Sequence, residues 1–122
     1  MFFNRTLMLA DDQSTDRITL HEMLRRTGLI VVAETANTDD ALEKFERLRP
    51  DVVLMDVTLP GTWDALVVIQ RMRRMHPEVT VLATGMASQN TVLMEAMTMG
   101  AQDFILKPFQ QASVHACLQR NL

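Results

Sequence analysis

Apolar residues come along this chain in two alternating rhythms: short unbroken runs, and longer stretches in which they recur at helical spacing. Thr6 to Ala10, Leu29 to Ala33, Val52 to Met55, Val79 to Ala83 and Asp103 to Leu106 are the short runs. Runs of that length read as strands, and the continuous, partly β-branched Val52 to Met55 as one buried on both faces, the kind found in parallel sheets. A helical stretch follows each one. The first places Ile18, Leu20, Met23, Leu24 and Thr27 on one face, with Ser14 as cap, Asp16 favourably in the first turn and Gly28 as stop. In the second, Asn37 or Thr38 caps, Asp39 and Asp40 fill the first turn, and Ala41, Leu42, Phe45 and Leu48 face inward before Pro50. The third, Asp64 to Met75, turns Ala65, Leu66, Ile69 and Met72 inward and stops at Pro77. Ser88 caps the fourth, which carries Val92, Leu93, Ala96 and Met97 before Gly100, and Val114, Cys117 and Leu118 form the stripe of the last. Strict strand–helix alternation predicts an α/β fold, a doubly wound five-stranded parallel sheet with helices on both faces and right-handed crossovers.

That architecture makes a geometric claim about chemistry. In a parallel sheet every strand delivers its carboxyl end to the same edge, where open α/β sheets place their ligands. Strand one brings Asp11 and Asp12 there, strand three brings Asp56 ahead of the Pro60-Gly61 turn, strand four Thr84, and strand five Lys107. Crowded carboxylates repel one another unless a cation joins them. Carboxylates with a backbone carbonyl and waters are what Mg²⁺ accepts. Lys107 adds a compact positive charge and Thr84 a hydroxyl donor. Together these groups suit phosphoryl transfer to Asp56, with metal and Lys107 offsetting charge on the equatorial oxygens. Taken singly, each has a plainer reading: a strand-ending Asp bonded to a loop amide, a solvated helix entry, a surface cation. It is their arrival at one edge that argues for a site.

The motif set Ala10-Asp11-Asp12, Met55-Asp56 with Pro60 four positions on, Ala83-Thr84-Gly85 and Gly100-Ala101-x-Asp103-Phe104-x-x-Lys107-Pro108-Phe109 resembles the receiver domains of two-component response regulators, especially the single-domain chemotaxis type. The resemblance covers Leu7 to Leu118. It implies a flavodoxin-like fold with strand order 2-1-3-4-5 and one receiver domain over residues 1–122. It also implies a phosphoacceptor Asp56 charged from a phosphohistidine on a histidine kinase or phosphotransfer protein. Asp12 and Asp56 would ligate Mg²⁺ directly, Asp11 through water, and the Thr58 carbonyl would complete the protein ligands. Lys107 would pair with the phosphoryl group, and Thr84 would move inward to bond it. Phe104, where the family often has Tyr, would then follow by packing alone. The changed surface of the fourth helix, fifth strand and fifth helix would meet an output protein or domain, or a second copy as a dimer. A cis Lys107–Pro108 bond is implied too, as is a module that catalyses only its own phosphorylation and dephosphorylation. The chain departs from the family pattern at Asp64, where Gly is common eight residues after the acceptor, and at Trp63 beside it. Thr58 lies two residues after the acceptor and Met86 two after Thr84. An apolar Met86 is poorly suited to orienting an attacking water.

Composition narrows the alternatives. Twelve basic and fifteen acidic residues give a net charge of −3 without a run of one sign, so neither a nucleic-acid footprint nor a polybasic membrane patch is visible. The single Cys117 excludes an internal disulfide. No apolar stretch approaches the about 20 residues a spanning helix needs, and the expectation is a soluble cytoplasmic domain. The ten methionines read mainly as inward helical positions, and His21, His76 and His115 as surface or helix-end residues. An FMN-binding reading of the same topology would need a phosphate loop free of the repelling Asp11 and Asp12. A metal-dependent phosphohydrolase would need a cap or extra loop to form a substrate pocket. The chain ends with the fifth helix, leaving no room for an output domain, and a receiver cut from a longer, DNA-binding regulator stays open.

Overall fold

The computed structural model describes residues 1–122. In chain order it contains β1 (Thr6–Ala10), α1 (Ser14–Leu24), β2 (Ile30–Thr35), α2 (Thr38–Leu48), β3 (Val52–Asp56), α3 (Ala65–Met75), β4 (Thr80–Met86), a 3₁₀ turn at Ala87–Gln89, α4 (Asn90–Met99), β5 (Asp103–Lys107) and α5 (Gln111–Asn121). The strands pair in parallel in the order β2-β1-β3-β4-β5. The order reverses between β1 and β3, so their carboxyl ends flank a crevice.

Strand alternation sorts the core into two layers. Met8, Val53, Met55, Val81 and Ala83 face one way, against α2, α3 and α4 through Phe45, Ile69, Met72 and Leu93. Leu7, Leu9, Leu54, Leu82 and Ile105 face the other way, against α1 and α5 through Leu20, Leu24, Val114 and Leu118. β3 is buried along its whole length, which is why its sequence lacks polar alternation. β2 and β5 are less covered, because they are the two edges. The β1–β2 register slips by one residue beside Leu7/Met8, leaving Val32 as the extra residue of a bulge. Val31 can therefore serve one layer and Ala33 the other, while Ile30 and Val32 stay exposed.

Several helix-level expectations need correction. Ile18 is 68% exposed and Leu48 37%, so neither belongs to an inner face; each helix buries a narrower stripe than its apolar residues suggest. Val68 is fully buried on α3. Ser14 and Ser88 are not caps: Gln13 precedes α1 without a side-chain cap, and Ser88 lies in the 3₁₀ turn. Asn37 does cap α2, accepting from the Asp40 amide. The fully buried methionines are Met8, Met55 and Met72, two of them on strands, whereas Met1, Met86 and Met94 are exposed. Arg73 draws α3, the α3–β4 connection and the end of α4 together by donating to the carbonyls of Pro77, Val79 and Gly100.

The loop from β3 to α3, which carries Thr58 past the crevice, is fastened to the start of α2. The Thr38 hydroxyl donates to the Trp63 carbonyl at 2.9 Å and accepts from its amide at 3.2 Å, and the Thr38 amide donates to the Pro60 carbonyl. Gly61 sits at φ +142° with Thr38 where a Cβ would stand, so only glycine fits there. Asp64 needs no left-handed backbone. At φ −67° it is the N-cap of α3, its carboxylate accepting from the Leu66 amide at 2.8 Å. Thr38 is wholly buried, so Thr38→Val, of nearly equal shape, removes both hydroxyl bonds to Trp63. We expect it to lower unfolding stability by about 1–3 kcal/mol. In urea denaturation this would appear as a lower midpoint with an unchanged slope.

Candidate functional site

Asp11 leaves the end of β1, Asp56 ends β3, and Lys107 ends β5, which brings a part-buried ammonium between two buried carboxylates. Lys107 Nζ lies 2.5 Å from Asp56 Oδ2 and 2.7 Å from Asp11 Oδ2. A third carboxylate, not foreseen as part of the site, joins them: Asp16 Oδ2 from the first turn of α1, at 2.9 Å. Burial alone would push the lysine's pKa down, but its pairing with Asp11, Asp56 and Asp16 wins and holds it well above the ordinary lysine range. Lys107 is therefore charged at every physiological pH.

Asp56 is 4% exposed and both its oxygens are occupied. Oδ2 accepts from Lys107, and Oδ1 accepts from the amide and the hydroxyl of Thr58, each at 2.6 Å. Asp11 is less well served. Its Oδ1 accepts from the Gln13 amide at 2.9 Å, but its buried Oδ2 has no hydrogen-bond partner. The 2.7 Å approach of Lys107 to that oxygen is an ion pair set too obliquely for a hydrogen bond. Burial raises the Asp11 pKa, against the lowering effects of Lys107 and the Gln13 amide, and the nearby Asp56 charge adds to the rise. Arg17 braces this turn by donating to the Asp11 carbonyl at 2.6 Å while pairing with Glu34.

Of the remaining predicted site residues, Asp12 and Thr58 line one cavity with Asp56, Thr84 adjoins Asp56 and Phe104 lies apart from it. Asp12 is exposed and lines a cavity of about 300 Å³ together with Asp16, Asp56, Thr58, Met86 and Lys107. Thr84 is buried and stands directly across from Asp56 in the β3–β4 register, its carbonyl accepting from Val57. Phe104 is half-buried, packed on the layer that holds α4, while Trp63 is partly exposed with the Arg71 guanidinium 4.1 Å above its ring. The Lys107–Pro108 peptide is cis. His21 is exposed against Glu34, His76 ends α3, and His115 reaches the Met23 carbonyl, all away from the cavity.

No group of three or more acidic, His or Cys side chains forms a ready-made metal cage. The donor set nevertheless fits Mg²⁺, which keeps several waters and needs only one or two carboxylates. The observations behind that fit are Asp12, Asp16 and Asp56 lining one cavity and a buried Asp11 Oδ2 that no hydrogen bond satisfies. Lys107 is the one cation facing Asp11, Asp16 and Asp56 there.

A carboxyl whose pKa is raised on folding contributes stability below its ordinary value of 3.8 and loses it as pH rises through the raised value. At neutral pH the penalty of burying ionised Asp11 is in force. Asp11→Asn keeps an oxygen for the Gln13 amide and removes that charge. We expect the metal-free variant to melt a few degrees higher than the native chain at neutral pH, with the gap closing toward pH 3, as followed by calorimetry.

Comparison with known proteins agrees with this geometry. The family model "Response regulator receiver domain" matches residues 7–119. The chemotaxis protein CheY of Thermotoga maritima is 30% identical over 95% of this chain and 96% of its own length. A response regulator structure from Chloroflexus aurantiacus superposes with a TM-score of 0.86 at 25% identity, covering 95% of both chains. The receiver domain of NtrX from Brucella abortus does so at 0.85, with 25% identity over 93% of this chain and 95% of that one. The alternating units, the shared sheet edge and these matches lead to one statement: the chain belongs to the response regulator receiver domain family.

Proposed function

We propose that this receiver domain is the phosphoacceptor module of a two-component system, taking a phosphoryl group onto Asp56 from a phosphohistidine on a histidine kinase or phosphotransfer protein. The observation that carries the proposal is the buried Asp56 carboxylate paired with Lys107 at the β1/β3 switch point. An Asp56 oxygen attacks phosphorus, the phosphorus–nitrogen bond to the donor imidazole breaks, and that nitrogen regains a proton. Asp12, Asp56 and the Thr58 carbonyl would hold Mg²⁺, with Asp11 acting through water; bound there, the ion supplies charge neutralisation for the phosphoryl oxygens. Lys107 supplies a second positive charge to the same oxygens. Thr84, opposite Asp56 in register, supplies the hydroxyl that bonds the product.

The charge added at Asp56 draws Thr84 inward, and Phe104 fills the space it leaves. Phe104 already packs against the α4 layer, so the shift reaches the surface of α4, β5 and α5. That face would meet an output protein, an output domain or a second copy. Such a module catalyses only its own phosphorylation and dephosphorylation. No helix is long and apolar enough to cross a membrane, and a cytoplasmic role without direct nucleic-acid contact suits the even charge distribution.

Acetyl phosphate or phosphoramidate should label the native chain only with Mg²⁺, and Asp56→Asn should abolish the labelling in an intact-mass assay. Labelling that survived the substitution would remove Asp56 as acceptor. Because Met86 lines the cavity and is 53% exposed, it offers no polar group to orient an attacking water. The phosphoryl form should therefore be long-lived, and decay within seconds after donor removal would contradict this.

A further inference from the structure

The role of Asp16 lies outside the residues that define the phosphoacceptor site, and it rests on the metal-dependent reading above. Asp56 has no spare oxygen: Thr58 holds Oδ1 twice and Lys107 holds Oδ2. Oδ1 already accepts two bonds, so a cation that ligates Asp56 must share Oδ2 with the Lys107 ammonium. Lys107 is the donor that a positive ion repels, and its ammonium can leave only toward another anion. Asp11 offers one, but Asp11 is itself drawn to the incoming ion, through water. Asp16 is the remaining carboxylate within reach, at 2.9 Å, and its side chain, 28% exposed, is the most solvated of the three.

We infer that Asp16 is a positioning residue that receives the Lys107 ammonium when Asp56 gives it up. It keeps the lysine at the cavity wall, charged and within reach of a phosphoryl oxygen. Metal-free, Lys107 is shared among the three carboxylates. Once the ion is in place, it rests on Asp16. Without that alternative anion, Lys107 holds on to Asp56 and competes with the ion for it.

The test is Mg²⁺ binding to the full chain by calorimetry, a readout separate from phosphorylation, with urea midpoints confirming that each variant folds. Asp16→Asn should raise the Mg²⁺ dissociation constant roughly three- to tenfold, the scale of one lost charge interaction at a partly screened site. Asp16→Glu should restore most of the affinity. In a Lys107→Ala background, where no ammonium competes, adding Asp16→Asn should shift the constant by no more than about twofold. An unchanged constant in Asp16→Asn beside normal native binding would overturn the inference alone. Equal shifts with and without Lys107 would also overturn it, making Asp16 merely a nearby charge. A native chain that takes up no Mg²⁺ would overturn the metal-dependent reading and the inference with it.

Discussion

One ammonium set among carboxylates is the constraint around which the rest of the structure is arranged. Lys107 at the end of β5 reaches Asp56 at the end of β3 and Asp11 beyond the end of β1, so three strands must be in parallel register for the pairing to exist. Buried charges of one sign are costly, and a single lysine balances only part of this group. The site is therefore left electrostatically incomplete. A folded domain can tolerate that because the two packed layers on either side of the sheet supply the stability that the edge does not. The same imbalance makes the edge responsive, since any added ion or phosphoryl group changes which charges are paired.

Much of this was legible in the sequence because parallel strands advertise themselves. Val52 to Met55 has no polar alternation, and a run buried on both faces has few other readings. Strand order and the meeting of Asp11, Asp56, Thr84 and Lys107 followed from topology and family resemblance. The helix surfaces were less legible. Ile18 and Leu48 are apolar at helical spacing yet exposed, because the layers above the sheet admit only a narrow stripe from each helix. Ser14 and Ser88 look like caps, but the chain enters α1 through Gln13 and reaches α4 through a 3₁₀ turn. Asp64 replaces a common glycine without strain because it serves as a cap, a use that spacing from the acceptor does not reveal.

Asp16 shows where reading by motif stops. A carboxylate in the first turn of a helix has a sufficient local explanation in the helix dipole, so nothing in its spacing points across to β5. Only the direction in which α1 leaves the sheet puts it beside Lys107. Arg17 is similar: a charged helix residue by sequence, it steadies the turn that presents Asp11. The Asp16–Lys107 contact joins elements remote in the chain, and no local pattern encodes it.

The bulge at Val32 bears on how the molecule behaves in company. An outermost strand is an open row of amide and carbonyl groups, and two exposed aliphatic side chains on it would normally invite a foreign strand to dock. The extra residue breaks the even spacing of that row and twists it locally, so a visiting strand would lose register partway along. Sheet growth from this rim is therefore interrupted by geometry rather than by charge.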